Sequence, residues 1–305
     1  MKKVEMITTT EDTGMRVDTY LADKIKDYSR SQIQDLIKQG RLTINGQIAK
    51  ANYRLSSGEL LVLSIPVISS PVLKPENIEL DIIYEDNDII VINKAQGMLV
   101  HPHQDELGGS LVNALLYRYN DLSSIAGHYR PGIVHRIDKG TSGLLVVAKN
   151  NVSHSLLAKQ LADRTMTRVY LAIVEKVVKN DSDSIDAPIG RHPIIRTRMA
   201  IVDSGRRAIT NYKVIERFKN HTLVELSLVT GRTHQIRVHM KHIGHPVVGD
   251  PIYGSANRSF KSLKGQALHA YRLSVIHPTT KKEMTFVAPP PLYFEGIIDV
   301  LRKQV

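Results

Sequence analysis

Cysteine is absent from this 305-residue chain, which excludes disulfides and thiolate chemistry and gives no sign of an oxidising compartment. No uninterrupted apolar run comes near the roughly 20 residues that a bilayer-spanning helix needs. The first residues, MKKVEMITTTEDTG, carry two lysines but lack the apolar stretch of a secretory signal. These absences lead us to expect a soluble cytoplasmic protein. Acidic residues are in deficit, 30 Asp+Glu against 41 Lys+Arg, leaving a formal charge of +11 and a pI near 9.6. Such a surplus favours a polyanionic partner, because each Lys or Arg that meets a phosphate releases condensed counterions. A membrane surface is the competing polyanion, but no long amphipathic basic helix is present to lie on one. Internal repeats and low-complexity tracts are also lacking. What remains is an ordinary globular composition, 42% hydrophobic, long enough for one large core and a small accessory module.

Residues 1–66 read as that module. The Thr-rich leader is an irregular segment or an edge strand, and Val17, Leu21 and Ile25 then fall at helical spacing. Ser29-Arg30-Ser31-Gln32 has the form of a capping box opening a second helix with Ile33, Leu36 and Ile37 on one face. Gly40 is placed to close that helix in a left-handed conformation. Asn45-Gly46 between two short β-prone runs is a hairpin signal, and Ser57-Gly58 turns the chain before the apolar run 60–65. Between Arg16 and Arg54 there are eight Lys/Arg against four Asp, a local +4. Arg30, Lys38 and Arg41 fall away from the apolar helix face, either as a solvated surface or as contacts to a nucleic-acid backbone. The proline- and serine-containing stretch 67–77 reads as a linker. Residues 78–305 read as a larger domain with consecutive hairpin-like strands, hence α+β with a mixed, largely antiparallel central sheet flanked by helices.

Three clusters in this second part could carry chemistry. In HRIDKGTSGLLVVAK, Arg136 and Asp138 stand on a turn before a buried strand, a charged pair aimed at one place or a solvated surface pair. In TRVYLAIVEK, Tyr170 interrupts an apolar strand, as a core tyrosine or a site residue. In TGRTHQIRVH, Gly231 ends a strand and Thr233 is placed to cap a helix bearing His234, Arg237 and Lys241, with Arg232 just before it. Basic groups around a helix start suit an anion. Arg191, Arg196, Arg198, Arg206 and Arg207, with Asp203 alone among them in acidity, read as a phosphate-binding flap or a solvated loop. Histidines 234, 239, 242 and 245 invite a metal reading, but position 235 is glutamine and no carboxylate completes a ligand pattern, so no metal is expected.

Taken together and in this order, the H-R-I-D-K-G-T-S-G-L, Y-L-A-I-V and G-R-T-H-Q-I-R segments resemble the signatures of the RluA/RluD-type family of RNA pseudouridine synthases. GMLVHP upstream and the proline-rich end add to the match. Ile137 stands where Leu is usual and Gly140 where an acid is common; neither change touches the polar atoms. R-x-D-x-x-L, S-R-S-Q and I-x-x-G-R-L-x-I-N-G likewise resemble the small RNA-binding module named for a ribosomal small-subunit protein. The resemblance implies a cofactor-free, monomeric enzyme that isomerises uridine to pseudouridine. It makes Asp138 the carboxylate that acts on the sugar, Arg237 its partner, Tyr170 the ring lying against the uracil, and Arg136 the group that holds the flipped conformation. Whether the carboxylate bonds to the anomeric carbon or first removes a sugar proton is left open. The accessory module points to large-subunit ribosomal RNA over transfer RNA. Two rivals belong to other classes. A glycosidase or nucleosidase would also use Asp138 but needs a second carboxylate or an activated water. A non-catalytic RNA-binding factor would have no use for Asp138, Tyr170 and Arg237 together.

Overall fold

The computed structural model describes residues 2–25, 28–65, 73–102, 107–127, 130–254, 260 and 263–304. The chain divides into two compact units, Met1–Val72 and Leu73–Val305. Most of the expected linker, 67–72, lies outside the described residues. From Leu73 onward the chain belongs to the second unit: Leu73 is buried in its core, and Asn113 donates to the Lys74 carbonyl.

In the first unit, β1 (Lys2–Ile7), α1 (Val17–Lys24), α2 (Arg30–Lys38), β2 (Leu42–Ile44), β3 (Gln47–Ile48) and β4 (Leu60–Ile65) follow one another. The strands make an antiparallel sheet in the order β1-β4-β2-β3. Local chemistry dictates much of this. The Ser29 hydroxyl accepts the Gln32 amide and the Gln32 side chain answers at the Ser29 amide, so α2 begins there. Asn45 and Gly46 both take positive φ, as a two-residue hairpin turn requires. Val17, Leu21, Ile33, Ile37, Leu42, Leu61 and Leu63 close the core.

The second unit runs β5 (Ile82–Glu85), β6 (Ile89–Lys94), α3 (Leu111–Arg118), β7 (Ser142–Ala148), α4 (Asn151–Ala162), β8 (Thr167–Glu175), β9 (Ser182–Asp186), β10 (Ile189–Arg191) and β11 (Met199–Ile201). It continues through β12 (Ile209–Arg217), β13 (His221–Leu228), α5 (Gln235–His242), β14 (Leu268–Ile276), β15 (Glu283–Val287) and α6 (Leu292–Arg302). One sheet has the order β5-β6-β7-β14-β8-β13-β12-β9, with β15 on the free end of β14, and β10 and β11 form a separate hairpin. Among the described strands of this sheet only the short β7–β14 pairing is parallel, in keeping with the α+β architecture. Val91, Val146 and Leu273 pack one face; Ile92, Leu145, Tyr170 and Leu268 pack the other.

Two local expectations change. GMLVHP, whose apolar Met98-Leu99-Val100 reads as a further short strand and turn, makes a single bridge, Leu99 to Ser110. Helix α5 is capped by His234 and not by Thr233: His234 takes φ +56, and the Gln235 side chain accepts the Arg232 amide and the Thr230 hydroxyl in its place. A buried glutamine thus does the work assigned to the threonine.

Candidate active site

The strand pairing draws the three chemical clusters together. Central β7 follows the Asp138 turn, and β14 lies between β7 and β8, with Ala270 opposite both Gly143 and Tyr170. Gly143 has φ +109, and a Cβ there would run into the backbone of Ala270. Only glycine lets the two strands approach so closely. Helix α5 follows β13, the other neighbour of β8, and brings Arg237 to the same place. Asp138, Arg136, Tyr170, Arg232, His234 and Arg237 share one cleft of about 400 Å³.

The Asp138 turn is pinned from several sides. Ile137 is buried in the core, which turns the residues beside it outward. The His135 Nε2 accepts the Val146 amide at 3.2 Å, and the Thr141 amide closes the turn on the Asp138 carbonyl at 3.0 Å. The Gly97 amide and the Lys94 Nζ both donate to the Lys139 carbonyl, at 2.8 and 3.4 Å. Lys94 is a lysine with 1% exposure that also donates to the carbonyls of Ala95 and Met98. Burial pushes its pKa down to about 7, against the pull of Asp138.

Asp138 Oδ2 accepts from Arg237 Nη1 at 2.8 Å. The same guanidinium is held on its far side by Asp250, through Nε at 2.7 Å and Nη2 at 2.8 Å. Asp250 also accepts the amides of Ile252 and Tyr253. Burial works against charge on both, but these contacts outweigh it: the pKa of Arg237 is raised and that of Asp250 lowered. Asp250 fixes the arginine, and the arginine fixes Asp138. The guanidinium also lies over the Tyr253 ring, 5.0 Å from its centre. His234 places Nε2 3.9 Å from Asp138 Oδ1, and its Nδ1 meets the Tyr253 hydroxyl at 2.8 Å. Tyr170 is buried, and burial raises its pKa, so its hydroxyl stays protonated in the neutral range.

Arg136 makes no ion pair with Asp138 among the described residues; the expected Arg136/Asp138 pair is replaced by Arg237/Asp138. Arg136 stays exposed on the cleft edge. Arg168 also lines the cleft, and its buried Nε has no hydrogen-bond partner among the described residues.

The other basic candidates lie outside this cleft. Arg191 donates to the Arg196 carbonyl on the β10–β11 hairpin, and Arg198 borders a 300 Å³ hollow with His192, Lys241 and Tyr253. Arg206 is exposed where it bridges Ile189, and Arg207 is committed to Asp186 at 2.7 Å. In the first unit, Arg30 and Arg16 both bind the buried Asp18, while Lys38 sits beside Asp35 and Arg41 beside Gln39. Of the four histidines in the metal reading, His239 has both ring nitrogens engaged, on Thr210 and on the Ala187 carbonyl. Sequence reasoning missed Asp250, Tyr253, Lys94 and Arg168. A lysine ending the apolar strand IIVINK was the one available signal; Gly249-Asp250-Pro251 reads as any polar turn.

Comparison with known proteins bears on this geometry. Residues 88–242 match the sequence model of a family described as RNA pseudouridylate synthase, and residues 15–61 match the S4 domain. An uncharacterized RNA pseudouridine synthase of Bacillus subtilis (strain 168) is 46% identical over 303 residues, covering 99% of each chain. Ribosomal large subunit pseudouridine synthase D of Pseudomonas aeruginosa is 42% identical over 301 residues, covering 95% of this chain and 93% of its own. Among solved structures, human RNA pseudouridylate synthase domain containing 1 superposes with a TM-score of 0.59 at 26% identity, over 73% of this chain and 95% of that one.

Proposed function

From the chain's membership of the RNA pseudouridylate synthase family, which makes it an isomerase acting on RNA, we propose that it converts uridines of large-subunit ribosomal RNA to pseudouridine, with Asp138 as the catalytic carboxylate. The observation that carries the mechanism is the Arg237–Asp138 contact of 2.8 Å on the wall of a cleft that also holds Tyr170. The reaction breaks a uridine's glycosidic bond, turns the base and rejoins it through carbon 5. A carboxylate suits both halves, since it can stabilise or add to the sugar centre and then leave. Arg237, locked by Asp250, aims that carboxylate at no cost in reorganisation. Tyr170 lies against the detached base. The target must leave its stack to reach the cleft, and Arg136 on the rim holds the flipped state. Arg168 offers its unpaired Nε to a uracil carbonyl or a phosphate oxygen.

A two-carboxylate hydrolase is disfavoured, because Asp138 is the sole carboxylate among the described residues of the cleft lining. Large-subunit ribosomal RNA is favoured over transfer RNA by the name of the Pseudomonas relative. The enzyme works as a cytoplasmic monomer, and no helix among the described residues is long and apolar enough to cross a membrane. Pseudouridine maps of total RNA from cells with and without the protein test the substrate. Loss of one or more sites in large-subunit ribosomal RNA is expected, and losses confined to transfer RNA contradict it.

The first unit supplies RNA affinity without chemistry, with 73–305 as the catalytic domain. The S4 match and the exposed Lys38 support this. A fragment starting at residue 73 then binds RNA more weakly, with a shallower dependence of log K on log salt, while keeping single-turnover activity at saturating enzyme. An unchanged salt slope removes the first unit from the RNA interface.

A further inference from the structure

His234 occupies an unusual position. It is a non-glycine residue at φ +56, it caps α5 without a side-chain bond to the helix, and its ring is held edge-on to Tyr253, 5.6 Å between centres. A left-handed backbone at a non-glycine residue carries strain, tolerated here because the ring is fixed by a partner outside the helix. That partner is the Tyr253 hydroxyl, 2.8 Å from Nδ1. The same hydroxyl oxygen accepts the backbone N–H of Met199, also at 2.8 Å. Met199 is the first residue of β11, in the arginine-bearing hairpin.

The hydrogen bonds favour one tautomer. The Tyr253 oxygen already accepts the Met199 N–H, which leaves its own proton best placed to go to His234 Nδ1. The neutral imidazole then carries its hydrogen on Nε2, and Nε2 is the atom that faces Asp138 Oδ1 at 3.9 Å. Burial lowers the pKa of His234 and raises that of Tyr253, which keeps both in the forms this arrangement needs. Asp138 is thus flanked on both oxygens, by Arg237 on Oδ2 and by a neutral N–H near Oδ1, separated by a gap that a small shift or one substrate oxygen closes.

We propose that His234 is a positioning residue for Asp138, and that seating of the β10–β11 hairpin on Tyr253 through the Met199 amide selects the tautomer that does this. Lifting the hairpin frees the Tyr253 oxygen to accept from His234 Nδ1–H, which turns a bare Nε2 lone pair toward the carboxylate. The hairpin that carries Arg191, Arg196 and Arg198 would then report RNA engagement to the carboxylate through two hydrogen bonds. The inference rests on Asp138 being the catalytic carboxylate.

The test uses the full-length protein, unmodified large-subunit ribosomal RNA transcripts labelled with tritium at uridine carbon 5, and ¹⁵N-labelled histidine. Tyr253→Phe removes one proton from the relay and leaves the ring over Arg237. It is expected to lower kcat about tenfold, the value of one lost hydrogen bond, with KM within about twofold. His234→Gln, whose amide reaches the Nε2 position, is expected to keep more activity than His234→Asn, which suits the left-handed backbone but reaches only Nδ1. The imidazole ¹⁵N shifts of His234 should report hydrogen on Nε2 in the wild type and a mixture in Tyr253→Phe. Hydrogen on Nδ1 in the wild type, or a wild-type kcat for Tyr253→Phe, overturns the relay. Asp138→Asn run alongside separates the two claims: if it is inactive while Tyr253→Phe is normal, only the relay fails. If Asp138→Asn turns over normally, the reading beneath it fails too.

Discussion

Asp250 is fully buried, touches no substrate in this account, and carries the catalytic geometry through Arg237. Replacing it with alanine leaves a buried guanidinium with one of its two carboxylates gone. Breaking a buried pair in this way typically costs 3–5 kcal/mol, because the remaining charge is left without compensation. Asp250→Ala should therefore lower the unfolding free energy by roughly that amount and depress kcat as well. Asp250→Asn keeps the shape but neither the charge nor the second acceptor oxygen, so it should recover only a minor part of the stability. Urea melts of the two variants check this, and equal, small losses would show that Arg237 is held by something other than Asp250. At this scale the sequence was only partly legible. Asp138, Tyr170 and Arg237 each stood in a distinctive local pattern. Asp250 and Tyr253 did not, because their meaning comes from partners 13 and 19 residues away across a turn, with no periodicity linking them.

Among the elements, β7 and β14 decide whether the clusters meet at all. Their backbones approach at Gly143, where any side chain would strike Ala270 and the positive φ adds strain. Gly143→Val should cost several kcal/mol, in the range of severe core overpacking, and should lower activity even in the fraction that remains folded. Thermal melts with activity measured below the transition test this, and a variant with wild-type Tm and turnover would contradict the close-approach argument. Elements whose ends are set within about four residues were readable in advance. The Ser29–Gln32 capping box and the Asn45-Gly46 turn are examples. Short polar strands such as β9, SDSID, were not, since their strand character comes from pairing with β12 and not from their own pattern. The Thr233 cap failed for a related reason: a glutamine five residues after Thr230 in the chain reached back and took the role.

For the whole molecule, the basic surface and the buried histidines set the working conditions. Burial pushes His135 down to about 3 and His101 to about 4, and it also lowers His154, His221, His239 and His269. In the unfolded chain these groups titrate near 6.5. Below that pH the unfolded state binds more protons than the folded one, so stability falls as the pH drops from about 6.5 toward 4. Each such histidine contributes up to ~1.4 kcal/mol per pH unit. Above 7 this contribution is fully present and flat. His135→Gln, which can still accept the Val146 amide, should shed one histidine's share of that slope. Denaturant titrations from pH 7 to 4.5 check it, and a variant slope identical to wild type would mean that His135 is charged in the fold. The +11 charge correctly pointed to a polyanion. Which polyanion, and what is done to it, came from motifs and not from charge.

The central claim is that the Asp138 charge, aimed by Arg237, performs the isomerisation, while affinity comes from phosphate contacts spread over the basic surface. Asp138→Asn tests it most directly, because asparagine keeps the shape and a carbonyl oxygen for Arg237 but has no negative charge. The measurement is tritium release from carbon-5-labelled uridine in a ribosomal RNA substrate, with a binding curve at the same salt. The account predicts no release above background together with a binding constant within about threefold of wild type, a loss confined to the chemical step. Tritium release near the wild-type rate would contradict it and remove Asp138 from the mechanism.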